Sequence, residues 1–258
     1  MNALPDDSIT LNIMSYNIRH GRGMDDRVDL DRIAGVIARS GADIIGIQEA
    51  DDHWSERSFH EDQTRWLGEK LGMHYVFGGS IDWDPTPESG GRRRKHGTAV
   101  LSKYTIAASR QRLFSTCVGN HRELLEAKIE IGGQFVYFFS THWGLDGEER
   151  MVQAKETIQW MKECPGARIV VGDFNATPDS PEIRYFGAHY RDAVSNGHMM
   201  NTFPAERPIK RIDYIFGSEE VRLSGGAVIH TLASDHLPFV CVAAIRRRVP
   251  NIPNKNNL

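Results

Sequence analysis

Arg168-Ile169-Val170-Val171-Gly172-Asp173-Phe174-Asn175 is an apolar run that stops at an acid and, two residues on, an amide. A short apolar run broken by glycine reads as a buried strand. Asp173 and Asn175 alternate along the extended segment, so both can point to one face. The same arrangement recurs elsewhere. Ile44-Ile45-Gly46-Ile47 runs into Gln48-Glu49, and Ile13-Met14-Ser15-Tyr16 runs into Asn17. Arg211-Ile212-Asp213-Tyr214 and Ser234-Asp235-His236 complete the set. Acids gathered at strand ends repel one another unless something positive lies between them, and a divalent cation meets that need. The pattern predicts one metal-centred hydrolytic site built from distant parts of the chain.

Around these segments the chain reads as strands separated by few helices. Ile9, Leu11 and Ile13 alternate in a strand ending at Tyr16. Asp29 caps a helix carrying Leu30, Ile33, Ala34 and Ile37, which Gly41 ends. Further helices are expected over residues 61–71 and 148–162, the latter with Met151, Ala154, Ile158 and Met161 on one side. Gly132-Gly133 marks a hairpin between strands at 124–131 and 135–140. Residues 79–96, with Pro85, Pro87 and Gly90-Gly91, are expected to form one long irregular loop. This order predicts two packed sheets with helices outside, a single α/β domain over residues 1–258 with its core at about 8–246 and a polar C-terminal tail.

Composition narrows the function. The formal charge is −3, from 31 basic and 34 acidic side chains, which argues against nonspecific coating of nucleic acid but not against a nucleic-acid substrate. Cys117, Cys164 and Cys241 lie far apart without a CxxC, so a disulfide scaffold or zinc ribbon is not expected. The N-terminus lacks the basic head and apolar stretch of a signal peptide, and no apolar run is long enough for a membrane span. A cytoplasmic protein is the expectation.

Glu49 is the strongest candidate ligand for a hard cation such as Mg²⁺, which prefers oxygen donors. Asp235 and His236 are neighbours and should diverge, one toward a metal and the other toward a phosphate or water. A phosphoester is the natural substrate: a metal withdraws charge, a base assists the water and an imidazole neutralises the developing oxyanion.

From Tyr16-Asn17 to Asp235-His236, in this order, the motifs resemble those of the endonuclease/exonuclease/phosphatase superfamily. The resemblance implies a four-layer α/β sandwich of two mainly antiparallel sheets flanked by helices, and a Mg²⁺- or Mn²⁺-dependent phosphoesterase. Carried onto this chain, Asn17 would hydrogen-bond near the metal, Glu49 would ligate it and Asp235 would sit at or near it. His142 would contact the phosphate. Asp173 and Asn175 would orient the water and bind the phosphate side. Asp213 would orient His236, the base or transition-state stabiliser. Arg122 is a further candidate for phosphate contact. His142 stands where apurinic endonucleases carry a tyrosine, which disfavours that branch. Pancreatic-type deoxyribonucleases pair the equivalent histidine with a glutamate, and His96-Gly97-Thr98-Ala99-Val100-Leu101-Ser102-Lys103 offers none. Arg92-Arg93-Arg94-Lys95 and Trp143 favour nucleic acid as the substrate. A phospholipid headgroup or an inositol phosphate is the alternative, and a noncatalytic binding scaffold is a third reading.

Overall fold

Alternation at the start of the first strand gives way to burial on both faces at its end, and the layers account for the change. The computed structural model of the protein describes residues 8–194 and 200–247; the last eleven residues of the polar tail lie outside it. In chain order the elements are β1 (Ser8–Asn17), α1 (Leu30–Ser40), β2 (Ile44–Asp52), α2 (Gln63–Leu71), β3 (His74–Trp83), β4 (Arg94–Ser102), β5 (Ile106–Leu113) and β6 (Glu123–Ile131). There follow β7 (Gln134–His142), α3 (Gly147–Lys162), β8 (Arg168–Asp173), α4 (Pro181–Gly187), β9 (Arg191–Asp192), β10 (Asp213–Gly217), β11 (Val221–Val228) and β12 (Phe239–Arg246).

One sheet runs β11-β12-β1-β2-β4-β3 and the other β5-β6-β7-β8-β10-β9. Among the described residues, only β1 with β2 and β7 with β8 pair in parallel. Ile9, Leu11 and Ile13 of β1 meet Val136, Phe138, Ile169 and Val171 of the facing sheet. Met14 and Tyr16 point the other way, into a second core with Ile33, Ala34 and Ile37 of α1. A third core packs Ala154, Ile158 and Met161 of α3 against Phe139, Val170 and Phe216. Helix, sheet, sheet and helix make the four-layer sandwich.

Local sequence sets the helix ends. Asp29 accepts from the Arg32 amide at 2.9 Å, and Gly41 leaves α1 in the left-handed region at φ 69°. Asp62 caps α2 through the Arg65 amide, which is why that helix begins later than expected. At Gly46 the two sheets approach closely. A Cβ there would lie 2.1 Å from Val171 Cγ2, so glycine alone permits this spacing.

The expected long loop is shorter in the structure. β3 extends to Trp83 and β4 begins at Arg94, paired with each other, so only residues 84–93 are irregular. The ladder survives because a register shift between Gly78 and Ile81 absorbs the mismatch. No helix among the described residues is long and apolar enough to cross a membrane.

Candidate active site

Every sequence-predicted site residue lies at one end of the sandwich, and the strand registers account for it. Asn17 ends β1 opposite Gln48, and His142 ends β7 opposite Asp173. Asp213 begins β10 opposite the same Asp173. His236 lies three residues before the start of β12, which runs antiparallel to β1 and so starts at that end. Asn17, Glu49 and His236 therefore come from one sheet, and His142, Asp173 and Asp213 from the other.

Glu49 is aimed by a bulge. The β2–β4 register shifts between Ile47 and Ala50, and Glu49 adopts φ 59°. A bulge re-aims a side chain, and a left-handed non-glycine residue costs of order 1–3 kcal/mol. Asn175, at φ 50°, bears the same strain. Both outliers among the predicted residues flank the central carboxylate.

Asn17 joins the two halves. Its Nδ2 donates to Glu49 Oε1 at 3.0 Å and to Asp173 Oδ2 at 3.1 Å. Its Oδ1 accepts from the Arg19 amide at 3.0 Å, and its carbonyl accepts from Ser234 Oγ at 2.8 Å. Asp173 Oδ1 accepts from the Asn175 amide at 2.9 Å, while Asn175 Nδ2 donates to the Trp143 carbonyl at 2.9 Å. His142 Nε2 stands 3.4 Å from Asp173 Oδ2, and His236 Nε2 stands 3.7 Å from it. The other ring nitrogen of His236 is bonded to Asp213 Oδ2 at 3.0 Å.

The charges follow from this packing. Burial opposes the imidazolium of His236, but Asp213 and Asp173 outweigh it and hold the group up at about 10. Burial pushes the Asp173 carboxyl up to about 7; His236 pulls it down and Asp213 pushes it further up. His142 is held well below the usual histidine range by burial, helped by Arg122 and His236. At neutral pH the site thus holds one charged imidazole and one neutral one on the same aspartate. Burial also lowers the Arg122 guanidinium, against the pull of Asp173 and Glu49. Arg122 makes no ion pair among the described residues.

The donor set fits a hard cation. Asp173, Asp213 and His236 offer atoms within 4.8 Å of one another, but both His236 nitrogens face carboxylates, so its own charge serves that position. Glu49 and Asp173 converge instead on one uncharged amide, which brings two acids together without supplying a positive charge. Oxygen donors of this kind suit Mg²⁺ or Mn²⁺. Asp235 lies at the rim, 3.5 Å from Arg19 Nε and hydrogen-bonded to Ser234 Oγ at 3.2 Å.

Three features differ from expectation. Trp143 is fully buried, packed on Phe174 with ring centroids 4.3 Å apart, so it offers no ring to a substrate. The basic run is engaged: Arg93 pairs with Asp82 at 2.6 Å and Asp84 at 3.0 Å, Arg92 reaches His53 at 2.7 Å, and Arg94 bonds the Asp84 carbonyl at 2.9 Å. A glutamate does stand near His142, on β6 rather than on the β4 segment that starts at His96. Glu123 opens β6 beside the Leu124–Thr141 pair and lines a small cavity with His142, Arg122, His96 and Thr98. Its Oε1 accepts from the Thr98 amide at 2.9 Å and hydroxyl at 3.1 Å, and burial pushes its carboxyl up to about 7. An acid immediately before the alternating run of β6 was the signal available for it.

A family model described as the endonuclease/exonuclease/phosphatase family matches residues 14–236. Among solved structures, an endonuclease/exonuclease/phosphatase from Beutenbergia cavernae is 22% identical with a TM-score of 0.78, covering 92% of this chain and 72% of that one. A Bacteroides thetaiotaomicron mannosyl-6-phosphatase is 21% identical with a TM-score of 0.73, covering 91% and 99%. Protein cwh43 of Schizosaccharomyces pombe is 25% identical over 144 residues, which span 55% of this chain but only 14% of that protein.

Proposed function

The chain belongs to the endonuclease/exonuclease/phosphatase family, and from that premise we propose that it hydrolyses a phosphoester with Mg²⁺ or Mn²⁺ as cofactor. One observation carries the reading. A single amide, Asn17, gathers Glu49 from 32 residues away and Asp173 from 156 residues away into one polar centre. Placing buried acids together costs stability, and an enzyme regains that cost as chemistry.

Glu49, assisted by Asn17 and Asp173, would hold the cation, which when bound withdraws charge from the phosphoryl oxygens and lowers the pKa of water. Asp173 Oδ2 is the proton acceptor for the attacking water, and the Asn175 amide on Oδ1 fixes the direction in which that oxygen points. His236, kept protonated and oriented by Asp213, neutralises charge that develops on the phosphoryl oxygens. His142, uncharged, donates a hydrogen bond to the phosphate without adding a second cation beside His236. Arg122, which lines the cavity beside His142, contacts a non-bridging oxygen.

Two features that favour nucleic acid are weakened: Trp143 sits in the core, and within the basic run Arg93 is paired with Asp82 and Asp84. We therefore favour a compact phosphoester headgroup over a polymer. A solved structure of the same fold, a mannosyl-6-phosphatase, supports a small phosphoester as the substrate.

Hydrolysis of bis(p-nitrophenyl) phosphate tests the reading. Turnover should require Mg²⁺ or Mn²⁺, stop with EDTA, and fall about 10²–10⁴-fold in Asp173→Ala and in His236→Ala. Equal activity in the variants would refute the assigned roles. No metal-dependent turnover on this or a panel of nucleic-acid, lipid and inositol phosphates would favour the noncatalytic scaffold.

A further inference from the structure

The two sheets stack strand on strand: β12 on β10, β1 on β8, β2 on β7 and β4 on β6. The site residues at their active end therefore lie in a row. His236 and Asp213 stand at one end of it, and Asn17, Glu49, Asp173 and His142 occupy the middle. Arg122, just ahead of β6, and His96, near the start of β4, stand at the other end. That far end holds a second aspartate–histidine pair. His96 lies opposite Asp51 of β2, and the register shift that aims Glu49 also sets this pairing. His96 Nδ1 is 2.7 Å from Asp51 Oδ1, much as His236 Nδ1 is 3.0 Å from Asp213 Oδ2.

Holding Asp51 does not require His96. The carboxylate is fully buried and accepts two bonds from Arg57, at 2.9 and 2.7 Å, which already compensate its charge. Trp54 packs against the imidazole with ring centroids 5.7 Å apart and limits its rotation. The remaining edge of the ring is open. His96 lines the cavity that also takes in Arg122, Glu123 and His142. Among the described residues its Nε2 makes no hydrogen bond. His53, which also has an aspartate partner, differs: Asp52 and Arg92 engage both of its nitrogens.

Displacement at phosphorus places the attacking and leaving oxygens on opposite sides. Asp173 Oδ2, the acceptor for the water's proton, is 3.7 Å from His236 Nε2, so the water enters from the His236 end. The leaving oxygen then departs toward His96. No group assigned so far gives it a proton. Burial keeps His142 uncharged, His236 stands at the entry end, and the Arg122 guanidinium does not deprotonate. We propose that His96, oriented by Asp51, is the general acid that protonates the leaving oxygen. The inference rests on the phosphoesterase reading and adds a catalytic residue to it. As the P–O bond breaks, its electron pair stays on the leaving oxygen, which takes the proton from Nε2, while the Nδ1 proton stays on Asp51. The proton of the attacking water goes to Asp173, and exchange with solvent restores both groups.

Two methyl aryl phosphodiesters test this, because p-nitrophenolate leaves without a proton whereas phenolate, as basic as a tyrosinate, needs one. With the full chain in Mn²⁺, the wild type should cleave methyl phenyl phosphate within about tenfold of methyl p-nitrophenyl phosphate. His96→Gln should lower the ratio of the phenyl rate to the nitrophenyl rate by about 10²-fold or more. Asp51→Asn, which loosens the ring without removing it, should lower the same ratio by less. An unchanged ratio in His96→Gln, with both rates reduced alike, would mark a structural histidine and overturn the inference while the hydrolase reading stands. A lowered ratio in His142→Gln but not in His96→Gln would hand the proton to His142 and likewise overturn it. Should His96→Gln not fold, the wild type decides alone: a phenyl rate about 10²-fold or more below the nitrophenyl rate means that no acid acts. Absence of metal-dependent turnover of either ester defeats the phosphoesterase reading itself, and the inference with it.

Discussion

Glu123 should make the stability of this protein fall as pH rises from 4.5 to about 7. Its carboxyl is fully buried and is pushed from 4.5 to about 7 by that burial, against hydrogen bonds from Thr98. Because the folded-state value is the higher one, the folded chain holds a proton that the unfolded chain has released. The stabilisation is complete below pH 4.5 and is lost as pH rises to about 7. A gap from 4.5 to about 7, at about 1.4 kcal/mol per pH unit, is worth about 3 kcal/mol. For a chain of this size that corresponds to roughly 6–12 °C in Tm. Glu123→Gln keeps an oxygen for the Thr98 amide and hydroxyl but cannot titrate. Thermal melts in EDTA at pH 5 and pH 8 should show the wild type losing about that much Tm relative to the variant as pH rises. Two melting curves that shift in parallel between the two pH values would refute the reasoning, whatever the absolute stability of the variant.

Three further outcomes follow from the geometry. Asp213→Asn removes the charge that, with Asp173, holds His236 up at about 10, so the alkaline limb of the pH–rate profile should move to lower pH, read from kcat across pH 6–10. Asn17→Ala frees Glu49 and Asp173 from their shared donor, and should raise the Mn²⁺ concentration needed for half-maximal turnover by about tenfold or more. Gly46→Ala drives a methyl against Val171 Cγ2 at 2.1 Å, and urea denaturation should register a loss of about 1–3 kcal/mol.

Much of this was legible in the chain because strand periodicity places a polar residue wherever an apolar run stops. Asn17 and Asp173 announce themselves that way and Glu49 follows the apolar start of β2, whereas Asp213 opens β10 and His236 lies ahead of β12; the registers then bring them to one end. What escaped depended on partners across the sheet. Glu123 acquires its meaning from Thr98, 25 residues away on β4. Arg93 looks like free charge until β3 and β4 pair and bring Asp82 to 2.6 Å. Trp143 follows a site histidine in sequence, yet the fold turns it into the core against Phe174 and Phe186. Residues 79–96 carry prolines and glycines enough for a loop, but ladder bonds override that local preference as far as Trp83 and from Arg94 onward.

Because the reactive centre draws its members from both sheets, it behaves as a gauge of how the two halves are seated. Glu49 and His236 ride on one slab, Asp173 and His142 on the other, with Gln48 Nε2 to Ser140 Oγ at 3.2 Å as a pin between them. A slip of one slab past the other by a single side chain would leave the secondary structure intact and dismantle the centre. Turnover should therefore vanish in any loosened, helix- and strand-retaining state well before circular dichroism registers a change.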